Sequence, residues 1–252
     1  MQHTTPAFDD FWTASELSAL TRPQFVERMA AATAYESTSG SRATSGSGRI
    51  DPWARPGAPR PAEQLTGSFA EAVRARSSVR RFDDRPISDA DLGRLLSVLS
   101  GPPSGRGYPS AGGLYPVRAI VLNFQADRAA GRLLQHDPDQ HTLTELGGCP
   151  GWSELVEDLA GQDAETAPAA VIGLFADTDA MLAKYGERGG RFVLLEAGAM
   201  LQSLTLSAGE LGLVGYPMGG AGDARMLHLA GLAGRSARFV INYAVGHPDR
   251  AG

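Results

Sequence analysis

The stretch from Gly190 to Gly212 constrains the fold most, because its apolar residues leave almost no face for water. Phe192, Val193, Leu194, Leu195, Ala197, Ala199, Met200, Leu201, Leu204, Leu206, Ala208 and Leu211 cover nearly the whole circumference of a helix. Such a helix has to be buried on most sides. At ~1.5 Å per residue it spans roughly the diameter of a small domain, so it is either the spine of one core or the seam between two subunits. Glu196, Gln202, Ser203 and Glu210 interrupt the pattern. A buried Glu196 needs a partner, and Arg188 and Arg191 are the candidates. Gly212 supplies a C-terminal stop, and 213–216 reads as a short buried strand.

Just ahead of this helix stands Lys184, the only lysine; the other 22 basic side chains are arginine. Arginine is locked in its charged form, whereas a desolvated lysine can lose its proton near neutral pH and act as a base. Tyr185 follows directly and can share that work. The other reading of Lys184 is a plain solvated residue before a helix.

A net charge of -5 and a pI near 5.5 argue against a nucleic-acid binder. Apolar runs such as 169–176 are far shorter than a membrane span needs, and 1–12 lacks the basic-then-apolar order of a signal peptide. A cytoplasmic protein is expected. One cysteine cannot form an internal disulfide, and Cys149, in the turn-rich GGCPGW, reads as inert. The five histidines show no metal-ligand spacing, so no metal is expected; His136 and His141, flanking a predicted turn, read as solvent-facing on a hairpin. Serine-hydrolase, P-loop and Rossmann motifs are all missing.

Residues 8–35 can form two short helices, Ser15 capping one and Thr21 the next, with Phe8, Phe11, Trp12, Leu17 and Leu20 giving an apolar stripe that should dock. Residues 36–67 shift to Ser, Gly, Pro and Arg, a loop or extended wrap with Trp53 as its one large anchor. The chain therefore divides into an arm and loop, 1–67, and a domain, 68–252. A helix over 69–76 leads into RSSVRRF. There Arg76, Ser77, Ser78 and Arg80 read either as an anion cradle, with guanidinium forks and hydroxyls matching phosphate oxygens, or as a charged helix end. Ser88 is the N-cap of a further helix with Asp91 as its capping-box partner. The stretch 101–116, GPPSGRGYPSAGGLYP, either lets backbone amides approach a flat ligand or is a plain connection. Strands follow at 117–124 and 168–175, a hairpin around 137–139, and a last strand at 237–245. Helices outnumber strands, with hairpin as well as crossover connections, which favours the α+β class.

Three segments, RSSVRRF, PSAGGLYP and KYGERGGRFVLLEAGAMLQSLTLSAGELGL with MGGAGD after it, resemble in order and spacing the FMN-dependent nitroreductase-like superfamily, and specifically its azoline dehydrogenases. The likeness covers about 69–246. It implies a nitroreductase-like fold, a central mixed sheet flanked by helices, and an interlocked homodimer with two FMN sites at the subunit interface. It also implies oxidation of thiazolines or oxazolines to thiazoles or oxazoles in a peptide or carrier-bound substrate, alongside a cyclodehydratase or synthetase partner. By the same resemblance Arg76, Ser78 and Arg80 contact the FMN phosphate and ribityl, with Ser77 beside them. Ser110, Ala111, Gly112 and Leu114 lie against the isoalloxazine, and Met218, Gly219 and Gly220 face its N5 side. Lys184 and Tyr185 are the catalytic pair; Lys184 suits a base if burial beside Arg188 desolvates it, whereas Arg188 paired with Glu187 or Glu196 weakens that case. Ser203 stands where the family pattern has Asn after Gln202. An NAD(P)H-dependent nitroreductase or flavin reductase shares the cradle but not the Lys-Tyr pair. A flavin-less scaffold of a synthetase complex would keep the architecture alone.

Overall fold

The computed structural model describes residues 6–18, 21–25, 27, 31, 64–101, 105–159 and 166–249. The Gly/Ser-rich stretch 36–63, Trp53 included, lies outside the described residues.

In chain order the elements are α1 (Pro6–Ser15), α2 (Ser68–Ala75), α3 (Asp89–Leu96), β1 (Val117–Phe124), β2 (Ala130–Asp137), β3 (Thr142–Pro150), α4 (Trp152–Leu159), β4 (Ala170–Asp177), α5 (Asp179–Tyr185), α6 (Arg188–Glu210), β5 (Val214–Met218), α7 (Asp223–Leu229) and β6 (Ala237–Gly246). The class is α+β, as the element order indicates. The six strands form one sheet in the order β3-β2-β1-β4-β6-β5. Its five pairings are all antiparallel, so the sheet expected to be mixed is antiparallel throughout the described residues. Where the chain crosses over through a helix, it re-enters pointing against its new neighbour.

Alternation along the strands splits the interior into two cores. On one face Val117, Ala119 and Val121 of β1 pack with Leu92, Leu95 and Leu96 of α3 and Val193, Ala197, Met200 and Leu204 of α6. On the other, Ile120, Leu122 and Phe124 pack with Trp152, Leu155 and Leu159 of α4 and Met226 of α7. Ser88 caps α3 as its spacing requires: the Asp91 N–H donates to Ser88 Oγ at 3.1 Å, and Ser88 Oγ donates to the Asp91 carboxylate at 2.8 Å.

By length and mean hydropathy α6 would pass for a membrane-spanning helix, but it packs against the sheet and α3 and contributes one face to the first core. Its burial is one-sided. Val193, Ala197, Met200, Leu204 and Ala208 are buried, while Leu194 and Leu195 are 41% and 69% exposed. A single chain thus does not cover the helix on most sides.

The N-terminal arm docks. Phe8 and Trp12 of α1 are buried in the first core, and Phe8 lies so close to Gly190 that a Cβ there would sit 2.3 Å from its ring. Ser15 closes α1 rather than opening a helix, its Oγ donating to Trp12 O at 2.9 Å, because the helix begins earlier, at Pro6. Thr21 and Ser18 then exchange side-chain-to-backbone hydrogen bonds at the start of the next turn.

Candidate functional site

The catalytic pair predicted from sequence sits at the end of α5, against the glycine loop that precedes β1. Gly112 has φ +62°, and a Cβ built on it would lie 2.5 Å from Lys184 Nζ and 2.5 Å from Tyr185 Oη. The left-handed backbone favours glycine at this position, and a Cβ there would push the ends of both side chains aside. Tyr185 packs edge-on against Phe192 at 5.0 Å between ring centroids, and the Arg188 guanidinium lies 6.0 Å from the Phe192 ring. The Lys184 ammonium is 5.4 Å from the Tyr185 ring. Lys184 itself is exposed. The expectation that burial beside Arg188 desolvates it is therefore not met within one chain, since α5 ends at the surface and Arg188 turns to Phe192.

The loop carrying Gly112 is braced from below by Glu196, which is 2% exposed. Its partners are neither Arg188 nor Arg191. Ser110 Oγ donates to Glu196 Oε2, and the Val117 N–H donates to Glu196 Oε1 at 3.2 Å. The arginines sit one to two turns nearer the N-terminus of α6 and are exposed, whereas Glu196 faces the sheet. Burial raises its pKa above the usual carboxylate value, and these two hydrogen bonds oppose the rise. Ser110 also accepts from the Tyr115 N–H at 2.8 Å, where Tyr115 has φ +47°. Both ends of the 110–117 turn are thereby pinned to one carboxylate. Ala111 and Leu114 are partly buried, and Gly113 faces open space. Ser203 Oγ donates to Gly107 O at 3.3 Å, so this departure from the family pattern braces the same loop.

The segment 76–80 runs extended beside the far end of α6. The Val79 N–H donates to Gly215 O at 3.2 Å, and a Cβ at Gly215 would meet the Tyr243 hydroxyl at 2.7 Å. Arg76, Ser77, Ser78 and Arg80 are exposed. Neither Arg76 nor Arg80 has a carboxylate partner among the described residues, and Arg80 lies 5.0 Å from the Tyr216 ring. Two guanidiniums and two hydroxyls without a counter-charge form a donor set that fits a phosphate dianion. The third predicted segment, Met218–Gly220, follows β5; Met218 is buried and Gly219 faces open space.

The structure therefore brings Lys184, Tyr185, Gly112 and Ser110 together near the N-terminal half of α6, and sets Arg76–Arg80 apart near its C-terminal half. Three constellations have no local signal in the sequence, because their partners are distant in the chain. The arm grips the 218–223 loop: Arg22 Nε donates to Gly220 O at 2.8 Å and the Leu17 N–H to Asp223 Oδ2 at 2.9 Å. Ser100 Oγ lies 3.0 Å from His136 Nε2 and 2.6 Å from His141 Nδ1. His136 is 2% exposed rather than solvent-facing, because β2 turns it into the first core, and burial pushes its pKa down to about 4. Arg106 bonds Asp139 and lies 4.3 Å from the Tyr115 ring. Cys149 is in β3 rather than a loop, and burial pushes its thiol up to about 11, which keeps it inert. No cluster of metal-ligating side chains occurs among the described residues.

The model of the nitroreductase family matches residues 73–247, and the chain belongs to that family. It is 27% identical over 141 residues to a nitroreductase-type protein of Methanocaldococcus jannaschii, an alignment covering 55% of this chain and 71% of that one. It is also 27% identical over 178 residues to the microcin B17-processing protein McbC of Escherichia coli, which covers 67% of this chain and 65% of McbC. Among solved structures, the E. coli microcin synthetase McbBCD complex with truncated pro-MccB17 bound contains a chain that superposes with TM-score 0.64 at 21% identity, over 98% of this chain and 95% of that one. A nitroreductase from Ralstonia eutropha superposes with TM-score 0.61 at 20% identity, over 76% and 88%. These two likenesses carry the fold.

Proposed function

We propose that this protein is an FMN-dependent dehydrogenase that oxidises a thiazoline or oxazoline ring, in a peptide or carrier-bound substrate, to the azole. The observation that carries the reading is the seating of Lys184 Nζ and Tyr185 Oη on Gly112, which sets a base and a phenol at the loop the family pattern lays against the flavin. The sequence likeness to McbC supports it.

An azoline becomes aromatic when it loses a proton from Cα and a hydride from Cβ. Bound FMN supplies the hydride acceptor and the route for the electrons to oxygen. Lys184 Nζ, as the free amine, takes the Cα proton, and Tyr185 Oη, beside Phe192, orients that amine or relays the proton. Ser110 and Glu196 keep the loop in place while this happens. Arg76, Ser77, Ser78 and Arg80 would hold the phosphate end of the cofactor, and Met218, Gly219 and Gly220 would lie along its N5 side.

The two groups of residues lie along opposite halves of α6, Glu196 bracing the 110–117 loop in one half and Val79 bonding Gly215 just past the other end. We therefore place each site between two copies of the chain, with Leu194 and Leu195 of α6 buried at the seam. A cytoplasmic homodimer working beside a cyclodehydratase or synthetase partner follows from the same reading.

The purified protein should be yellow, and its flavin should bleach when a thiazoline peptide is added. Lys184→Ala should retain the flavin while turnover falls by about two orders of magnitude, the scale of a lost acid-base group. Unchanged turnover sinks the Lys184 assignment, and rapid bleaching by NADPH in place of the azoline makes the protein a reductase.

A further inference from the structure

Two buried ionisable residues hold the glycine loop, an acid and a base. The acid is Glu196, which accepts from Ser110 and Val117. The base is Arg106, whose side chain is only 1% exposed. Its Nε donates to Gly101 O at 3.1 Å, its Nη2 bonds the Asp139 carboxylate, and its guanidinium lies 4.3 Å from the centre of the Tyr115 ring. Asp139 belongs to the turn between β2 and β3, where the Gly101 N–H also donates to Pro138 O at 2.8 Å. Arg106 therefore gathers Gly101, Tyr115 and the hairpin turn to one point. Tyr108, edge-on to Tyr115 at 5.4 Å between ring centroids, feels both groups: burial raises the pKa of its hydroxyl, Arg106 opposes the rise and Glu196 adds to it.

The backbone of Tyr115 is what this cation keeps in place. At φ +47° it is in a region that a residue with a bulky side chain rarely enters, and its N–H closes the turn onto Ser110 Oγ at 2.8 Å. Gly112, in contact with Lys184 and Tyr185, lies inside that turn. A Tyr115 released from the guanidinium is free to relax to an ordinary φ, which opens the turn and moves Gly112. Stability is a poor account of Arg106. A buried ion pair gains little over an apolar side chain of similar size, and Arg106 Nη1 is buried without a hydrogen-bond partner among the described residues. Its rigid fork and its flat face on Tyr115 suit it to fixing a geometry.

We propose that Arg106 is a positioning residue for the oxidation: by holding Tyr115 and tying the loop to Asp139, it keeps Gly112 where Lys184 and Tyr185 work on the substrate. This rests on the azoline dehydrogenase reading for the reaction, but not for the placement of Lys184.

The test compares three variants of the full-length holoprotein. Arg106→Met fills much the same space but bonds neither Gly101 nor Asp139, and Asp139, 52% exposed at its side chain, keeps its charge in water. Its melting temperature should hold or rise, while kcat on a thiazoline peptide should fall by about tenfold or more at unchanged KM, since Arg106 touches no substrate. Asp139→Asn should lower kcat in the same way. Arg132→Met, which removes the surface ion pair of β2 with Asp89, should leave kcat as it is. Because Lys184 is the only lysine, lysine labelled with carbon-13 at Cε gives a single side-chain resonance. That resonance should move toward the position of free lysine in Arg106→Met and Asp139→Asn, and stay in place in Arg132→Met. A kcat that falls only in step with the melting temperature, or a resonance unmoved in both loop variants, overturns the proposal. If the native protein oxidises no azoline but the resonance moves as expected, the reaction falls and the placement of Lys184 by Arg106 stands. If it oxidises the azoline and both loop variants match it in kcat and resonance, Arg106 alone loses its role.

Discussion

Ser110 and Glu196, 86 positions apart, are joined by a hydrogen bond in which the hydroxyl donates to a carboxylate buried under the glycine loop. The pairing explains how a turn with three consecutive residues of positive or near-helical φ, at Gly112, Gly113 and Leu114, and then Tyr115 at φ +47°, holds one shape. Tertiary hydrogen bonds to a buried anion compensate local backbone strain.

Glu196→Ala leaves the Val117 N–H and Ser110 Oγ without their acceptor beneath the loop. Stability should fall by about 1–3 kcal/mol, the usual cost of an orphaned buried polar group, and flavin should be lost on gel filtration. Glu196→Gln keeps one acceptor oxygen and should fall in between. Thermal melts of the three proteins check the order, and equal melting temperatures would remove Glu196 as the brace.

Gly112→Ala tests the contact between the loop and the proposed catalytic pair, Lys184 and Tyr185. The new methyl carries an unfavourable backbone conformation of roughly 1–2 kcal/mol and, at 2.5 Å, displaces Lys184 Nζ and Tyr185 Oη. Displacing reacting groups by ~1 Å costs about a hundredfold in rate. Azoline turnover should drop on that scale with the far-ultraviolet dichroism unchanged; full activity would show that the pair does its work elsewhere.

Much of this was legible in the sequence because it is local. The Ser88 and Asp91 box and the Gly212 stop are set by residues within one or two turns, and the structure keeps them, whereas the all-round burial expected of α6 is one-sided in a single chain. The partner of Glu196 was not legible, since helical spacing offers only Arg188 and Arg191 while the sheet offers Val117. His136 was misjudged for a related reason: alternation gives the two faces of β2 but not which one meets α3. The side-by-side placement of Lys184 and Gly112, 72 positions apart in the chain, came only through the family resemblance. The antiparallel closure of the sheet depends on how crossovers return, which no periodicity records.

His136 gives an acid-side prediction. Its folded pKa, lowered to about 4 by burial and then by His141, lies below the ordinary 6.5. Between those values the unfolded chain takes up the proton first, so stability should fall as pH drops from 6.5 toward 4 and be independent of this group above 6.5. Ring resonances in an NMR titration should keep His136 neutral at pH 5. A protonated His136 there would mean that the Ser100 cluster is open to water.

The grip of the arm on the 218–223 loop should carry the opposite pH dependence. Burial raises the Asp223 carboxyl from 3.8 to about 6, with Glu16 adding to the rise and the Leu17 N–H opposing it. Below 3.8 the group is protonated in both states. As pH climbs from 3.8 to 6 the unfolded chain ionises first, so stability is lost through that window and stays lost above it. Asp223→Asn keeps an acceptor for Leu17 without the charge and should flatten the dependence, by about 2 kcal/mol after allowance for partial exposure. Because Arg22 holds Gly220 on the same loop, the effect should reach the segment proposed to face the flavin. Amide protection factors at residues 214–222, which remove the intrinsic base-catalysed rise in exchange, should then fall between pH 5 and pH 7.5 in the native sequence and not in Asp223→Asn. Equal protection at both pH values in the native chain would uncouple the arm from the 218–223 loop and leave α1 as a packing element alone.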